Sequence, residues 1–584
     1  MEDGRVRAVP HDLFKVKNWR AHSKRELVGK EFPERAKGKY KVVIKGFEGK
    51  DEFRTLEKII EGHHSTGSFW ERLWTGADRL STIAARFRLE YDYWFLGQAD
   101  PFFVRVYGDI KEWNSKERES LHKRLMDILA QHANSASEEQ VKAFEEVNEL
   151  LKEFPADSRF PFTSLKTHHW LTHAICYNRN FWLRIKDKKE FENIYIIRIS
   201  IAEPEFHKLK ELRSFRELCS KVLKIAGQEL RAWFPLQIGD DLYLVCVSCA
   251  EVDEVLHILA GIGFGFDADV FEWTIKREKK AVKADGSRET IYVVKGSDLT
   301  LHSIGVYEGY EYAPEKIAEY AKILEGEWDY VAWVIIKPRG DMKQIAKEFL
   351  EYGRQMLEKK YGEKRKPLEE PIYEPDELLS PELALSIAEG YNEFLTDCAK
   401  AIGAEGGRAH TVVRSFNETI FVSGLTEPPD AFRIYVTLSD MKTKLHMPAL
   451  LAVVMAKPKY PFWRILELSE KSADADHLIF IVGEKMVKLT DKDVRLLREV
   501  VPTIKSVSRG QFSDIVTTSR RAGLEELKFM IEGKAANGRI PWSASNKLCW
   551  VIERFAEKYE GEKLRDVIYR GMKMLEPFTR RERR

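Results

Sequence analysis

The sequence predicts a multidomain α+β chain, and three observations carry that prediction. Residues 1–180 are mostly helical in pattern, with apolar residues at helical spacing in Phe53–Glu61, Phe69–Phe87 and Glu117–Gln131. A β-branched run, Ile194–Ile201 (IYIIRISI), then opens a stretch of different character. Finally, one order of elements occurs twice. The run Ile194–Ile201 is followed by a helical segment, Phe215–Leu230, and a strand, Leu242–Ser248. Tyr330–Lys337 is a strand followed by helices at Met342–Lys360 and Pro381–Ile402, a hairpin at Thr411–Ser423 and a strand at Ala449–Ala456. Strand, helices and hairpin used twice indicate two copies of one α+β unit. Four prolines and dense charge mark 361–381 as a linker, and the pattern from about Asp491 onward is helical.

Composition narrows the function classes. The 584 residues carry 95 Lys and Arg against 93 Asp and Glu, a net charge of +2, which excludes a simple polybasic binder and confines any nucleic-acid site to a local patch. With 44% hydrophobic and 11% aromatic residues the chain is not disordered. Six cysteines point to a reducing compartment, and the single CxxC, Cys246 and Cys249, reads as two core thiols rather than half of a zinc site. The first residues, MEDGRVRAV, form no apolar signal region, and the longest strongly apolar run, Ala449–Ala456, is far short of a membrane span. A soluble, cytoplasmic protein with no membrane partner is expected.

Chemistry concentrates in four short segments of the first 180 residues. They are VPHDLFK with His11, Asp12 and Lys15; IIEGHHSTG with His63 and His64; WTGADRLST with Asp78; and FTSLKTHHWLTH with His168, His169 and His173. Each histidine taken alone reads as a core or surface residue. Taken together, each sits on or beside a predicted helix with apolar flanks. Imidazoles with carboxylates suit Mn, Fe, Ni, Co or Zn better than bare Mg, and an aspartate can bridge two ions with its two oxygens. A two-ion site can activate a water and stabilise the leaving oxygen of a phosphodiester.

The order HD, HH, AD(R)LS and TSL–x–x–H resembles the circularly permuted HD nuclease domain of the large subunit of type III CRISPR effector complexes. The segment PADSRFPFTSLKTHHWLTHAI is similar to that family's D-x-R-x-P-x-x-S-L-x-x-H stretch. The resemblance implies a metal pair held by His11, Asp12, His63, His64, Asp78 and His168, with Asp12 bridging and Lys15 steadying the phosphate. Mn, Ni or Co is the expected pair, with no organic cofactor. Thr167 stands where the family often has Asp, and Phe14 where it has a small residue.

The same resemblance implies two ferredoxin-like palm domains, the second of which bears a GGDD hairpin in active cyclases. The first unit contains Gly239-Asp240-Asp241, which looks like such a hairpin but reads more readily as a tight turn between strands. In the second, RSFNETIFVSG takes the hairpin's place, so that Phe416, Asn417, Glu418 and Thr419 stand at the four positions. Asp240, Asp241 and Glu418 then form only a degenerate nucleotide site, and Pro338 and Arg339 occupy the neighbourhood of the family's Asp-x-Asp, with Asp341 displaced. The expected domains are a nuclease domain over 1–180, a first palm over 190–300, a connector over 301–325, a second palm over 326–480 and a helical C-terminal domain over 481–584. The implied function is the large subunit of an RNA-guided antiviral complex. Its HD domain would cut single-stranded DNA and its cyclase palm would be inactive. Guide RNA, target RNA and other effector subunits, including the small subunit, are the implied partners. The alternatives are a non-catalytic scaffold for guide RNA and sibling subunits, an active cyclic oligoadenylate synthase, and a free-standing HD phosphohydrolase acting on nucleotides. KPKYPFWR (Lys457–Arg464) and the basic tail Arg580–Arg584 are minor candidates for RNA contact.

Overall fold

Apolar runs and capped amphipathic segments here build an α+β chain that divides into two compact units. The computed structural model describes residues 8–18, 22–44, 52–65, 67–85, 91–92, 101–106, 109–157, 160–187, 193–201, 220–262, 265–282, 288–304, 330–362, 366–367, 381–405, 410–414, 416–425, 428–457, 475–482, 485–576 and 579. Unit one comprises Met1–Pro204, Cys219–Tyr310 and Gly340–Asn392; unit two comprises Glu205–Leu218, Glu311–Arg339 and Glu393–Arg584.

Unit one opens with a helical lobe: α1 (Leu56–Gly62), α2 (Phe69–Ala85), α3 (Ser115–His132), α4 (Ser137–Leu150) and α5 (Leu165–Tyr177). Side-chain caps start two of these helices. Asn114 and Glu117 form a capping box on α3, and Ser164 accepts from Thr167 N–H at the head of α5. Nearly every residue of α5 is buried, including three histidines, so its surroundings must satisfy polar groups as well as apolar ones.

The first sheet follows. Its strands are β1 (Asn193–Ile201), β2 (Leu236–Ile238), β3 (Asp241–Cys246), β4 (Phe266–Val282) and β5 (Arg288–Ile304), ordered β5-β4-β1-β3-β2 with every pair antiparallel. A helix over 220–229 precedes β2, and α6 (Cys249–Gly261) joins β3 to β4. The β4–β5 hairpin runs past the sheet, since β1 pairs with β4 only from Phe266 to Thr274. β5 extends to Ile304, into the segment expected to be a connector.

Two later helices, α7 (Met342–Tyr361) and the first part of α8 (Pro381–Glu405), belong to unit one. Close approach explains this. An added Cβ at Gly353 would lie 2.3 Å from the Phe162 ring, and one at Gly390 would lie 2.6 Å from Val106 Cβ. Of the expected linker, Lys366–Pro367 pairs with Tyr91–Asp92, and most of the remainder lies outside the described residues.

Unit two holds the second sheet: β6 (Tyr330–Pro338), β7 (His410–Arg414), β8 (Thr419–Leu425), β9 (Ala449–Ala456), β10 (His477–Val482) and β11 (Lys485–Thr490), with α9 (Pro428–Lys444) between β8 and β9. The order is β7-β8-β6-β9-β10-β11, with β9 and β10 parallel and the other pairs antiparallel. Its first four strands repeat the plan of the first sheet: the opening strand is central, flanked by the last strand on one side and the hairpin on the other. That is the order of a β-α-β-β-α-β unit. The sheet continues to Thr490, ten residues beyond the expected boundary at 480. A capping box of Thr490 and Asp493 then starts the C-terminal helices. These are Asp491–Arg498, Arg509–Ser519, Leu524–Ala536, Trp542–Ala556 and Gly561–Leu575. Residues 458–474 and 580–584, which include most of KPKYPFWR and the basic tail, lie outside the described residues.

Among the described residues no helix is long and apolar enough to cross a membrane. The contact between α8 and the helical lobe gives a stability prediction. Gly390→Ala drives a methyl into a branched carbon fixed to the backbone and should destabilise unit one by about 1–3 kcal/mol, read as a lowered thermal midpoint. An unchanged midpoint would show that the contact relaxes freely.

Candidate metal centre

Four separate parts of the chain deliver side chains to one point. The turn at Pro10–Asp12 precedes a 3-10 helix, Leu13–Val16, whose Leu13, Phe14 and Val16 are buried and anchor it. Phe14, the bulky residue in the family's small position, therefore serves as core. His63 ends α1, its N–H bonded to Ile59 O at 2.9 Å, and His64 follows. Asp78 and Ser81 lie one turn apart on α2, and His168, His169 and His173 lie on α5.

Two quartets of ligand atoms result, each with all atoms within 4.8 Å of one another: His11, Asp12, Asp78 and His168; and Asp12, His22, His63 and His64. Asp12 belongs to both. Its Oδ1 lies 3.0 Å from Nε2 of His22 and 3.0 Å from Nε2 of His63, and its Oδ2 lies 3.4 Å from Nε2 of His168. Asp78 Oδ1 sits 3.0 Å from His168 Nε2 and 3.5 Å from His11 Nε2, while its Oδ2 lies 3.6 Å from His64 Nδ1. All six residues that the sequence singled out as metal ligands are thus brought together. His22, which the sequence reading missed, completes the second quartet; its neighbours AHSKRE gave no apolar flank to mark it. His64 is 45% exposed while the other ligand side chains are buried, so the centre opens on the His64 side.

The outward ring nitrogens are fixed by hydrogen bonds. His11 Nδ1 donates to Val9 O at 3.2 Å and His63 Nδ1 donates to Ile60 O at 2.8 Å, which leaves each Nε2 lone pair facing inward. His168 Nδ1 meets Ser81 Oγ at 2.9 Å. Two further histidines hold the backbone. His169 Nε2 accepts from Asp12 N–H at 3.2 Å and its Nδ1 donates to Asn148 Oδ1 at 2.7 Å, and His173 Nδ1 accepts from Val9 N–H at 3.1 Å. These two were quoted in the sequence motif without a role, which only the fold could supply. Thr167 bonds back to Ser164 at the head of α5 and points away from ligand duty.

The inward atoms are the test of whether a cation fits. His11 Nε2, His63 Nε2 and both Asp12 oxygens are buried, and apart from the Lys15 ion pair they face only the other inward atoms of the two quartets. Buried polar atoms at such density need a partner, and a divalent cation in each quartet provides one. Electrostatics agree. Burial works against the charge of Asp12, yet Lys15 and His22 hold its carboxyl well below the usual range. Burial likewise opposes Asp78, and His11 and His168 hold it well below that range. Burial opposes a charged His168, but Asp12 and Asp78 push it up to about 9. A field that retains a proton on a buried ring will also attract a metal ion. Burial depresses His64 to about 3, with His63 adding to the effect, so its ring is neutral. Lys15 forms an ion pair with Asp12 Oδ2 and donates to Ala156 O at 3.2 Å, so its ammonium neutralises the shared carboxylate.

The residues of the expected nucleotide site lie in the two sheets and are not part of this centre. In unit one Gly239, with φ +64°, and Asp240 make a two-residue turn closed by the Ile238–Asp241 pair. Asp241 is buried beside Arg198, which is paired across strands with Tyr243 on one side and with Asp269 on the other and forms an ion pair with Asp269. In unit two Glu418 holds Lys337 Nζ at 2.7 Å. Phe416 is buried, and Asp341 is spent capping α7, accepting from Gln344 N–H at 2.8 Å. Cys246 is buried at the end of β3 and Cys249 is exposed at the start of α6.

A buried histidine–aspartate cluster in a helical lobe, followed in the chain by two sheets of like strand order, defines a distinct class of multidomain α+β chain. Solved structures with a similar fold include Csm1 and the Csm1-Csm4 cassette. Csm1 in T.onnurineus matches at 10% identity over 98% of this chain and 95% of that one, with a TM-score of 0.51. The Csm1-Csm4 cassette in complex with pppApA matches at 10% identity, covering 97% of this chain and 98% of that one, also at 0.51. The cassette in complex with cA4 matches at 11% identity, 86% and 88% coverage and 0.50. No protein-family model and no curated protein matches the sequence.

The shared ligand makes the centre testable by metal content. Wild-type protein should take up two Mn²⁺ per chain. Asp12→Ala should lose both ions and His22→Ala only one, each read by elemental analysis after desalting.

Proposed function

We propose that this chain is the large subunit of an RNA-guided type III CRISPR effector complex, and that its helical lobe is an HD-type nuclease domain that hydrolyses single-stranded DNA. The observation that carries the reading is the pair of quartets sharing Asp12. Two ions at that separation of ligands, when bound, supply a Lewis acid to the phosphodiester and an activated water. The chain's own residues do the rest. Asp12 ties the two ion positions to one carboxylate. Asp78 and Asp12 would offset the charge of two ions held among the five imidazoles. The Val9 and Ile60 carbonyls keep the rings in the tautomer that binds a cation. The half-exposed His64 leaves a mouth on one side, and flexible single strands enter such a mouth more readily than a duplex. Lys15, drawn to Asp12, is a charge balance for the shared carboxylate rather than the phosphate contact that the motif suggests.

The two sheets are proposed to act as nucleotide-free palms. Two-metal nucleotidyl chemistry needs carboxylates free to hold Mg²⁺ beside a triphosphate. In the first palm Arg198 occupies the space among Asp241, Asp269 and Tyr243, and in the second Lys337 neutralises Glu418. An ammonium or guanidinium already fills the place where a cation would enter. Assembly with sibling effector subunits, guide RNA and target RNA is proposed from the fold shared with the Csm1-Csm4 cassette.

Two experiments test this reading. The protein with Mn²⁺ should cleave single-stranded DNA, with cleavage lost on chelation and lowered more than about 100-fold in Asp12→Ala, since even groups behind a ligand are worth 10–100-fold. Equal rates for wild type and variant would refute the assignment. The assembled complex given ATP, metal and target RNA should make no oligoadenylate, and its efficient synthesis would overturn the account of the sheets.

A further inference from the structure

We propose that Lys24, Arg25, Arg72 and Arg79 form a basic rim on both sides of the mouth at His64 and hold the phosphates that flank the scissile one. The centre then acts on a bond within a strand rather than on a free nucleotide. This rests on the nuclease reading above and names the substrate contacts of the same site.

His64 lies between two stretches of chain. Its Nε2 is 3.0 Å from His22 Nε2 on one side, and its Nδ1 is 3.6 Å from Asp78 Oδ2 on the other. Exposed basic residues begin beside each of these neighbours. Lys24 and Arg25 follow His22 by two and three residues, at the start of the short helix Arg25–Glu31, and both are exposed. Arg79 follows Asp78 on α2 and is exposed as well.

The chain after His64 brings Arg72 to the same place. Thr75 Oγ1 donates to Ser65 O at 2.6 Å, so Ser65 lies against the Thr75 side of α2. Arg72 stands three residues before Thr75 and Arg79 four residues after it, which puts all three on one stripe of the helix. Arg72 Nη1 lies 3.5 Å from Gly67 O, two residues beyond Ser65. One helix thus turns Asp78 inward and sets two guanidiniums along the rim beside it.

Charge decides what this rim can hold. None of the four makes an ion pair among the described residues. Lys58 on α1 is by contrast tied to Glu61 at 2.9 Å. Of the other neighbouring carboxylates, Glu71 accepts from Ser68 N–H at 2.7 Å at the head of α2, and Glu26 is exposed beside Arg25. Ammonium and guanidinium groups without carboxylate partners favour a polyanion, and a guanidinium meets a phosphate with two parallel N–H donors. A free nucleotide or a strand end would engage one side only. Cations on both sides of the mouth suit a backbone that crosses it, with phosphates on either flank.

The experiment uses the full-length protein loaded with Mn²⁺ and three probes: single-stranded oligothymidylate, circular single-stranded DNA and bis-p-nitrophenyl phosphate, a diester with no flanking phosphates. The variant Lys24→Gln/Arg25→Gln/Arg72→Gln/Arg79→Gln should raise KM for oligothymidylate more than about 10-fold, with kcat and Mn²⁺ content held. The slope of log affinity against log salt should flatten by about 0.7 for each lost contact. Hydrolysis of bis-p-nitrophenyl phosphate should keep the wild-type rate, and the wild type should open the circle. Lys123→Gln/Arg124→Gln, which removes two exposed charges from α3, should leave KM near that of the wild type. Unchanged KM and slope in the fourfold variant overturn the rim while leaving the centre intact. An equal loss in the α3 variant, an equal loss on the small diester, or a circle left whole while linear strands are trimmed also overturns it. No hydrolysis of any probe by the wild type instead overturns the nuclease reading and the rim with it.

Discussion

Two aspartates, Asp12 and Asp78, are buried together in unit one, and most of what surrounds them is arranged to make that burial tolerable. An uncompensated carboxylate in the interior costs several kcal/mol, so each oxygen must face positive charge or a donor. The lobe answers with a ring of imidazoles and one lysine, Lys15. Imidazoles can be neutral or charged, and their charge state follows the carboxylates, as the raised His168 shows. This makes the cluster receptive: it holds protons when nothing else is present and can surrender them to metal. The outer contacts of His11, His63, His169 and His173 then read as a frame that keeps the ring nitrogens aimed, and the apolar anchors Leu13, Phe14 and Val16 hold the frame to the core.

Much of this was legible in the sequence, for identifiable reasons. The β-branched runs at Ile194–Ile201, Tyr330–Lys337 and Ala449–Ala456 are strands because they are buried along nearly their whole length, which leaves an almost unbroken apolar signal. The six residues grouped in the four His/Asp segments stood out because polar groups were set among apolar neighbours. His22 did not, since it lies in a polar stretch and gains its burial from distant parts of the lobe. Domain boundaries were least legible. α7 and the first part of α8 follow β6 in sequence yet belong to unit one, and only the shape of the surface around Phe162 and Val106 decides that.

The two sheets repeat an electrostatic arrangement as well as a topology. The central strand of each carries a long basic side chain, Arg198 or Lys337, beside an acidic residue of the neighbouring hairpin, Asp241 or Glu418. Each pairing balances charge locally within its sheet.

The hydrogen bond from Val9 to His173 joins residues 164 positions apart, and the one from Asp12 to His169 spans 157. Closing loops of that length is entropically costly and slow, so the segment around Asp12 docks late compared with the local helices. A growing polypeptide emerges from the ribosome with Asp12 exposed and cannot seat it until α5 has been synthesised. The quartet that takes His168 is consequently unfinished for much of translation, and a chain truncated before α5 cannot complete it.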